Sequence, residues 1–208
     1  ITIDGTGRTG GTASFTLVAS DAEVDGALNI KLSAGDDTIG LGDGADTIVF
    51  SGSTLAANGA DTITAHQTND VYDFSGVLDS GSFANATSGT AITIASAATL
   101  AVEGTSIAVG DNKIYVAEVT LAAGIDTGAE VITALTDTGV MDAVDFAASA
   151  EAILIVGGAD AETTHYIYGI NNDATAAIAT GELVLIGTTT TDITGGINGL
   201  LTTNFDFV

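Results

Sequence analysis

The chain has 208 residues, enough for one large domain or two small ones, and 46% of them are hydrophobic, enough to build a core. Its 27 acidic residues face three basic ones (Arg8, Lys31 and Lys113), a formal net charge of −24, which excludes nucleic acid as a partner, because phosphates must be neutralised by cations, and disfavours an anionic membrane surface for the same reason. Cys is absent and the two histidines, His66 and His165, lie far apart, so disulfides are impossible and zinc is disfavoured.

The mean hydropathy is +0.45, and Pro is absent. Apolar residues are spread along the whole chain, yet no window reaches the roughly 18 consecutive apolar residues of a membrane span. The Ala/Thr/Val/Ile-rich text predicts a folded, mainly β protein. Neither an initiator Met nor a signal segment opens the chain, so a processed product or a fragment is expected.

From the start of the chain, Ile1 to Ile3 and Ser14 to Val18 read as strands. Turn signals separate them at Asp4-Gly5-Thr6-Gly7 and Gly10-Gly11. A nine-residue period follows. Gly35, Asp37, Thr38 and Ile39 recur as Gly44, Asp46, Thr47 and Ile48. After an insertion, Ser51 to Asn58, the unit returns as Gly59-Ala60-Asp61-Thr62-Ile63, and nine residues beyond Asp61 stands Asp70. Upstream, Gly26 to Ile30 keeps the Gly and the Ile but has lost the Asp.

Each part of this unit has a physical role. Gly permits a positive φ in a tight turn. Asp supplies hard oxygen ligands suited to calcium. The Ile two residues later points inward. The predicted metal set is therefore Asp37, Asp46, Asp61 and Asp70, with Asp36, Asp43, Gly35 and Gly44 beside them. The competing reading is ordinary Asp-Gly turns between strands. The repeated spacing, Asp37 to Asp46 and Asp61 to Asp70, favours the ligand reading.

The repeat resembles the glycine- and aspartate-rich RTX repeat of type I-secreted bacterial proteins. That resemblance implies a parallel β-roll, one turn and one short strand per repeat, with calcium between stacked turns. Two departures stand out. Leu32-Ser33 and Leu41-Gly42 occupy the places where that family has Gly-Gly, and the array is interrupted at Ser51 to Asn58. A few ions are expected, not a long stack.

Beyond the array, Val71 to Ser75 opens a different text, in which strands are predicted at Ala91 to Ile94, Thr99 to Val102, Lys113 to Val116, Ala152 to Val156, His165 to Tyr168 and Leu183 to Ile186. Thr127 caps a predicted helix through Leu135, with Glu130 as capping-box partner, and a second is predicted over Val140 to Ala150. Tyr166 to Asp173 followed by Gly181 to Gly187 is similar to the C-terminal module of secreted bacterial β-repeat proteins. Leu200 to Val208 looks like the uncleaved signal of type I secretion substrates.

No constellation supports catalysis. A nucleophile elbow is missing, His66 reads as a solvated turn residue, and His165 reads as a half-exposed strand residue. No carboxylate pair stands out for glycoside hydrolysis, and Trp is absent as a sugar platform. Asn171-Asn172-Asp173 with Glu182 offers oxygens for a second calcium site but reads better as a hairpin turn. Asn85 and Thr188 to Thr191 are compositional glycosylation acceptors.

The expected architecture is a short calcium-binding parallel β-roll within residues 1–75, then a β-sandwich-like or β-rich domain over 76–208 with one or two short helices. The expected function is non-enzymatic: a secreted, calcium-stabilised structural protein at the cell surface that assembles with itself into a surface layer or filament. A cell-surface glycan is a further expected partner. The alternative is the calcium-dependent folding and secretion module of a larger RTX enzyme or adhesin.

Overall fold

A computed structural model describes residues 1–7, 13–19, 26–52, 57–78, 93–95, 113–118, 129–130, 151–157, 164–171, 180–191 and 204–206. The protein is mainly β. Its strands run in chain order as β1 (Thr2–Asp4), β2 (Thr16–Val18), β3 (Asn29–Lys31), β4 (Thr38–Gly40), β5 (Thr47–Val49), β6 (Asp61–His66) and β7 (Val71–Asp73). One helical turn, α1 (Ser75–Leu78), precedes β8 (Thr93–Ala95), β9 (Lys113–Glu118), β10 (Glu151–Gly157), β11 (Thr164–Asn171), β12 (Leu183–Thr191) and β13 (Phe205–Asp206).

The first seven strands alternate between two sheets. Odd-numbered strands build a five-stranded sheet in the order β1-β3-β5-β7-β13, and even-numbered ones open an eight-stranded sheet, β2-β4-β6-β12-β11-β10-β9-β8. Every pairing in the five-stranded sheet is parallel. So are the pairings of β2 with β4 and β4 with β6. The nine-residue unit is therefore half a coil: a turn and a three-residue strand on one sheet, then a turn and a strand on the other. Equivalent positions one full coil apart are Ile30 and Ile48, or Ile48 and Tyr72, and they are register partners.

Thr-Ile pairs explain why the strands are short and where they point. In β4 the pattern runs exposed, buried, half-buried, and Ile39 is wholly buried, as are Ile48 and Ile63. A β-branched residue flanked by Thr fits a pleated strand, and the Gly/Asp turn on each side ends it after three residues. Each fully buried Ile contributes about 1.5–3 kcal/mol. Leu32 and Leu41 are buried in the same core. Phe50 and Phe74, equivalent residues on successive coils, stack at 4.9 Å.

The remaining strands extend the eight-stranded sheet. β6 pairs in parallel with β12, β12 and β11 and then β11 and β10 pair antiparallel, and β10, β9 and β8 are parallel again. Meanwhile β13 returns to pair with β7 in the other sheet. One apolar cluster joins Ile30, Ile48, Tyr72 and Phe205 of one sheet to Ile39, Ile63, Ile153 and Ile186 of the other. The text changes near residue 75, from roll to longer strands, but one sheet and one apolar cluster continue across that point.

Of the predicted strands, Thr99 to Val102 lies outside the described residues. Ala129 and Glu130 are helical, while the rest of that predicted helix and Val140 to Ala150 lie outside them as well. Thr188 to Thr190 belongs to β12, where Thr189 is buried.

Candidate functional site

The turns of the roll stack in two columns, one on each side of the sheets. Asp37 and Asp61 occupy the first column, Asp46 and Asp70 the second. All four carboxylates are buried, with at most 1% of each residue exposed. A carboxylate has this position because the turn ends where the chain bends inward toward the buried Ile two residues on.

Backbone amides of the preceding coil hold these side chains. In the first column Asp37 Oδ1 accepts from the Phe15 N–H at 2.8 Å, and Asp61 Oδ1 accepts from the Asp37 N–H at 2.9 Å. In the second, Asp46 Oδ1 accepts from the Leu28 N–H and Asp70 Oδ1 from the Asp46 N–H, both at 2.9 Å. The aspartates thus form two ladders whose rungs are 24 residues apart at Asp37/Asp61 and Asp46/Asp70. The lost Asp of the Gly26 to Ile30 copy is explained: Leu28 fills that place and offers only its N–H to the ladder.

The second oxygens differ. Asp37 Oδ2 accepts from the Ser33 N–H at 2.6 Å, and Asp70 Oδ2 from the Gln67 N–H at 2.7 Å. Asp46 Oδ2 and Asp61 Oδ2 are buried and have no hydrogen-bond donor among the described residues. Burial pushes the Asp61 carboxyl up to about 8, opposed by the Asp37 N–H and reinforced by the negative charges of Asp37 and Asp36. Burial also pushes Asp70 up to about 6, against its bonds from Asp46 and Gln67, and raises Asp46.

Glycines let the turns touch. A Cβ on Gly35 would stand 2.8 Å from the Ala13 carbonyl group, and one on Gly59 would stand 2.6 Å from the Gly35 carbonyl carbon. Gly59 also has φ +78°, a left-handed conformation that disfavours any side chain. A Cβ on Gly44 would lie 3.1 Å from the Gly26 carbonyl oxygen. Backbone carbonyls and carboxylates of neighbouring coils are thereby brought close together.

Asp36 and Asp43 are exposed on the outer faces of these turns. Asp36 Oδ1 accepts from the Ala60 N–H at 2.9 Å, and Asp43 Oδ1 accepts from the Gln67 side-chain amide at 3.1 Å. Gly35 and Asp36 belong with Asp37 and Asp61, whereas Asp43 and Gly44 belong with Asp46 and Asp70. The eight predicted residues therefore fall into two groups, not one.

No three His, Cys, Asp or Glu side chains among the described residues already converge as a metal cluster. The donor chemistry nonetheless suits a hard cation: one orphaned, buried carboxylate oxygen per column, with further carboxylates and carbonyls stacked beside it. Sequence reasoning missed Ser33, whose hydroxyl donates to Asp37 Oδ1 at 2.7 Å, and Asn204, whose amide donates to the Asp70 carbonyl at 2.9 Å. The pattern Leu-(Ser/Gly)-x-Gly-x-Asp at Leu32 to Asp37 and Leu41 to Asp46 carried a signal for Ser33. Nothing local pointed to Asn204, which comes from far along the chain.

Both histidines require correction. His66, expected as a solvated turn residue, is fully buried. Ala65 has φ +64°, and the pairing of β6 with β12 shifts register there, so the bulge turns His66 to the inside. Its ring stacks on Tyr72 at 4.2 Å and 8°, and its two nitrogens have no hydrogen-bond partner among the described residues. Burial, with His165 adding like-charge repulsion, pushes His66 down to about 3. His165, expected half-exposed, is also fully buried, in a space that Gly157 leaves by lacking a side chain. Across the core the Tyr72 hydroxyl donates to Thr189 Oγ1 at 2.6 Å.

Fold and site define a class: a parallel β-roll with aspartate-laddered turns, extended by a β-sheet that shares its core. Comparison with family models, with curated proteins and with solved structures gives no match.

Proposed function

We propose that this chain is an extracellular, non-enzymatic structural protein whose stacked turns take up calcium and which assembles with copies of itself at the cell surface. The observation that carries the calcium reading is the pair of buried carboxylate oxygens, Asp46 Oδ2 and Asp61 Oδ2, that find no donor. A buried carboxylate oxygen without a partner is costly unless the group is protonated or meets a cation. Asp61, with Asp36 and Gly35 beside it, and Asp46, with Asp43 and Gly44, would hold the ions. When bound, calcium neutralises the column charge and adds stability by mass action.

Calorimetric titration with calcium chloride tests this directly. Binding that Asp46→Ala and Asp61→Ala weaken far more than Asp137→Ala or Asp192→Ala supports the reading. Equal effects from all four would mean that calcium responds only to bulk charge.

One observation favours the alternative, a calcium-triggered folding and secretion module of a larger protein. β12 pairs directly with β6, so ordering the roll would template the long strands beyond it. A chain that binds calcium, folds on doing so and stays monomeric at high concentration would favour that module over the assembling subunit.

A further inference from the structure

We propose that Asn204 is a positioning residue for a cation in the second aspartate column. It acts through Asp70, so that an ion in this column and the seating of β13 strengthen one another. This rests on the calcium reading proposed above and adds to it a residue from far along the chain.

In this column a coil bonds to the turn of the preceding coil through that turn's carbonyls. The Val71 N–H donates to the Asp46 carbonyl at 2.8 Å, as the Thr47 N–H does to the Leu28 carbonyl. The Asn69 side-chain amide donates to the carbonyl of Gly44, in the same turn as Asp46. One coil later the corresponding carbonyls are those of Asp70 and Thr68. The Asn204 side-chain amide donates to both, at 2.9 and 3.0 Å. One side chain thus makes both kinds of bond that a further coil would make to this turn.

Asn204 arrives there because β13 pairs in parallel with β7, Phe205 beside Tyr72. Phe205 is buried in the core against Tyr72, ring centroids 6.3 Å apart, and Asn204 is wholly buried. Asp70 is the node between the two. Its Oδ1 accepts from the Asp46 N–H and its Oδ2 from the Gln67 N–H, while the Gln67 side chain reaches Asp43. Holding the Thr68 and Asp70 carbonyls fixes the peptides of this turn. The Asp70 carboxylate is thereby kept against Asp46, whose buried Oδ2 has no donor among the described residues. Removing the amide would leave a buried carbonyl unsatisfied and let the turn relax toward water. The first column meets a different strand: β12 lies beside β6, with Gly187 the register partner of Asp61.

The effect runs both ways. By linkage, whatever factor Asn204 adds to the affinity of the column for an ion, the ion adds to the seating of Asn204. The segment around β13 therefore senses whether the column is filled.

Calorimetric titration with calcium chloride in two backgrounds tests this. Asp61→Asn leaves the second column intact, and Asp46→Asn leaves the first. Asn204→Ala should weaken binding about tenfold or more in the Asp61→Asn chain and leave it unchanged in the Asp46→Asn chain. Asn204→Asp, equal in size but without the amide donors, should weaken it at least as much, although its added charge alone would attract calcium. Melting curves establish that each variant folds. Where Asn204→Ala does not, Asn204→Ser retains one donor and should bind with an affinity below that of the parent. Hydrogen exchange of peptides containing Asn204 to Asp206 should slow when calcium is added to the parent chain, and less so with Asp46→Asn. Equal loss in both backgrounds, no loss in either, or exchange indifferent to calcium would overturn the role of Asn204 and leave the calcium reading standing. No calcium binding by the parent chain would overturn both.

Discussion

Asp61 is held by two opposed demands. Its Oδ1 must remain an acceptor for the Asp37 N–H, while its buried Oδ2 has nothing to bond. Asp61→Asn keeps the acceptor and removes the charge, so without metal at pH 8 or above it should melt no lower than the parent and lose the calcium-dependent gain. Asp61→Ala leaves the Asp37 N–H buried and unpaired, a loss of about 1–3 kcal/mol that differential calorimetry would register. The pH dependence follows from the shifts. Asp61 has its folded value raised to about 8 from 3.8, so its contribution is full below pH 3.8 and is lost as pH rises through 8. His66 has the opposite sign. Its value falls from 6.5 to about 3 in the fold, so stability present above pH 6.5 is lost as pH falls toward 3. His66→Phe preserves the stack on Tyr72 and removes this titration. The melting difference between variant and parent should therefore shift in favour of Phe between pH 6.5 and 4, and a constant difference would contradict a neutral buried His66.

The element scale is governed by how closely one coil rests on another. Strands of three residues are too short to be stable alone, so each depends on its neighbours above and below and on the turns that set its height. Gly59→Ala should be among the most damaging small substitutions. It adds a left-handed side chain, costing about 1–2 kcal/mol, and a Cβ 2.6 Å from the Gly35 backbone. A drop of several degrees in the melting temperature is expected, whereas Gly181→Ala, with open space around its Cβ, should be nearly silent on that ground. β7 and β12 face each other across the core through Tyr72 and Thr189. Tyr72→Phe keeps the ring contacts with His66, Phe50 and Phe74 and removes one hydrogen bond, a loss of about 1 kcal/mol measurable by urea unfolding.

Across the whole molecule a formal charge of −24 opposes folding and association alike, and salt relieves it over about 8–10 Å. The melting temperature should therefore rise with sodium chloride. The proposed sites predict a further rise with calcium at the same ionic strength and a fall on adding a chelator. An identical response to the two salts would reduce calcium to a screening ion. Because one apolar cluster spans both sheets, unfolding is expected as a single transition seen alike by far-ultraviolet circular dichroism and tyrosine absorbance.

Much of the roll was legible in the text, since Gly, Asp, Thr and Ile recur at fixed places and each has a local reason to be there. A tight turn needs Gly, and a β-branched residue between turns needs a core. That suffices to place β4, β5, β6 and their inward residues. Which way the aspartates work was not legible, because Asp37 and Asp61 meet only when residues 24 apart in sequence are stacked, and the N–H that each receives belongs to another coil. The return of β13 to β7 and the pairing of β12 with β6 were hidden for the same reason: a parallel pairing leaves no turn between partners to announce it. His66 shows the finest case. Its text reads as a turn, and only the bulge at Ala65, set by register against β12, turns it into the core. Local chemistry determined the units and their faces. Contacts between coils, which no single stretch of chain contains, decided what the buried charges are bonded to.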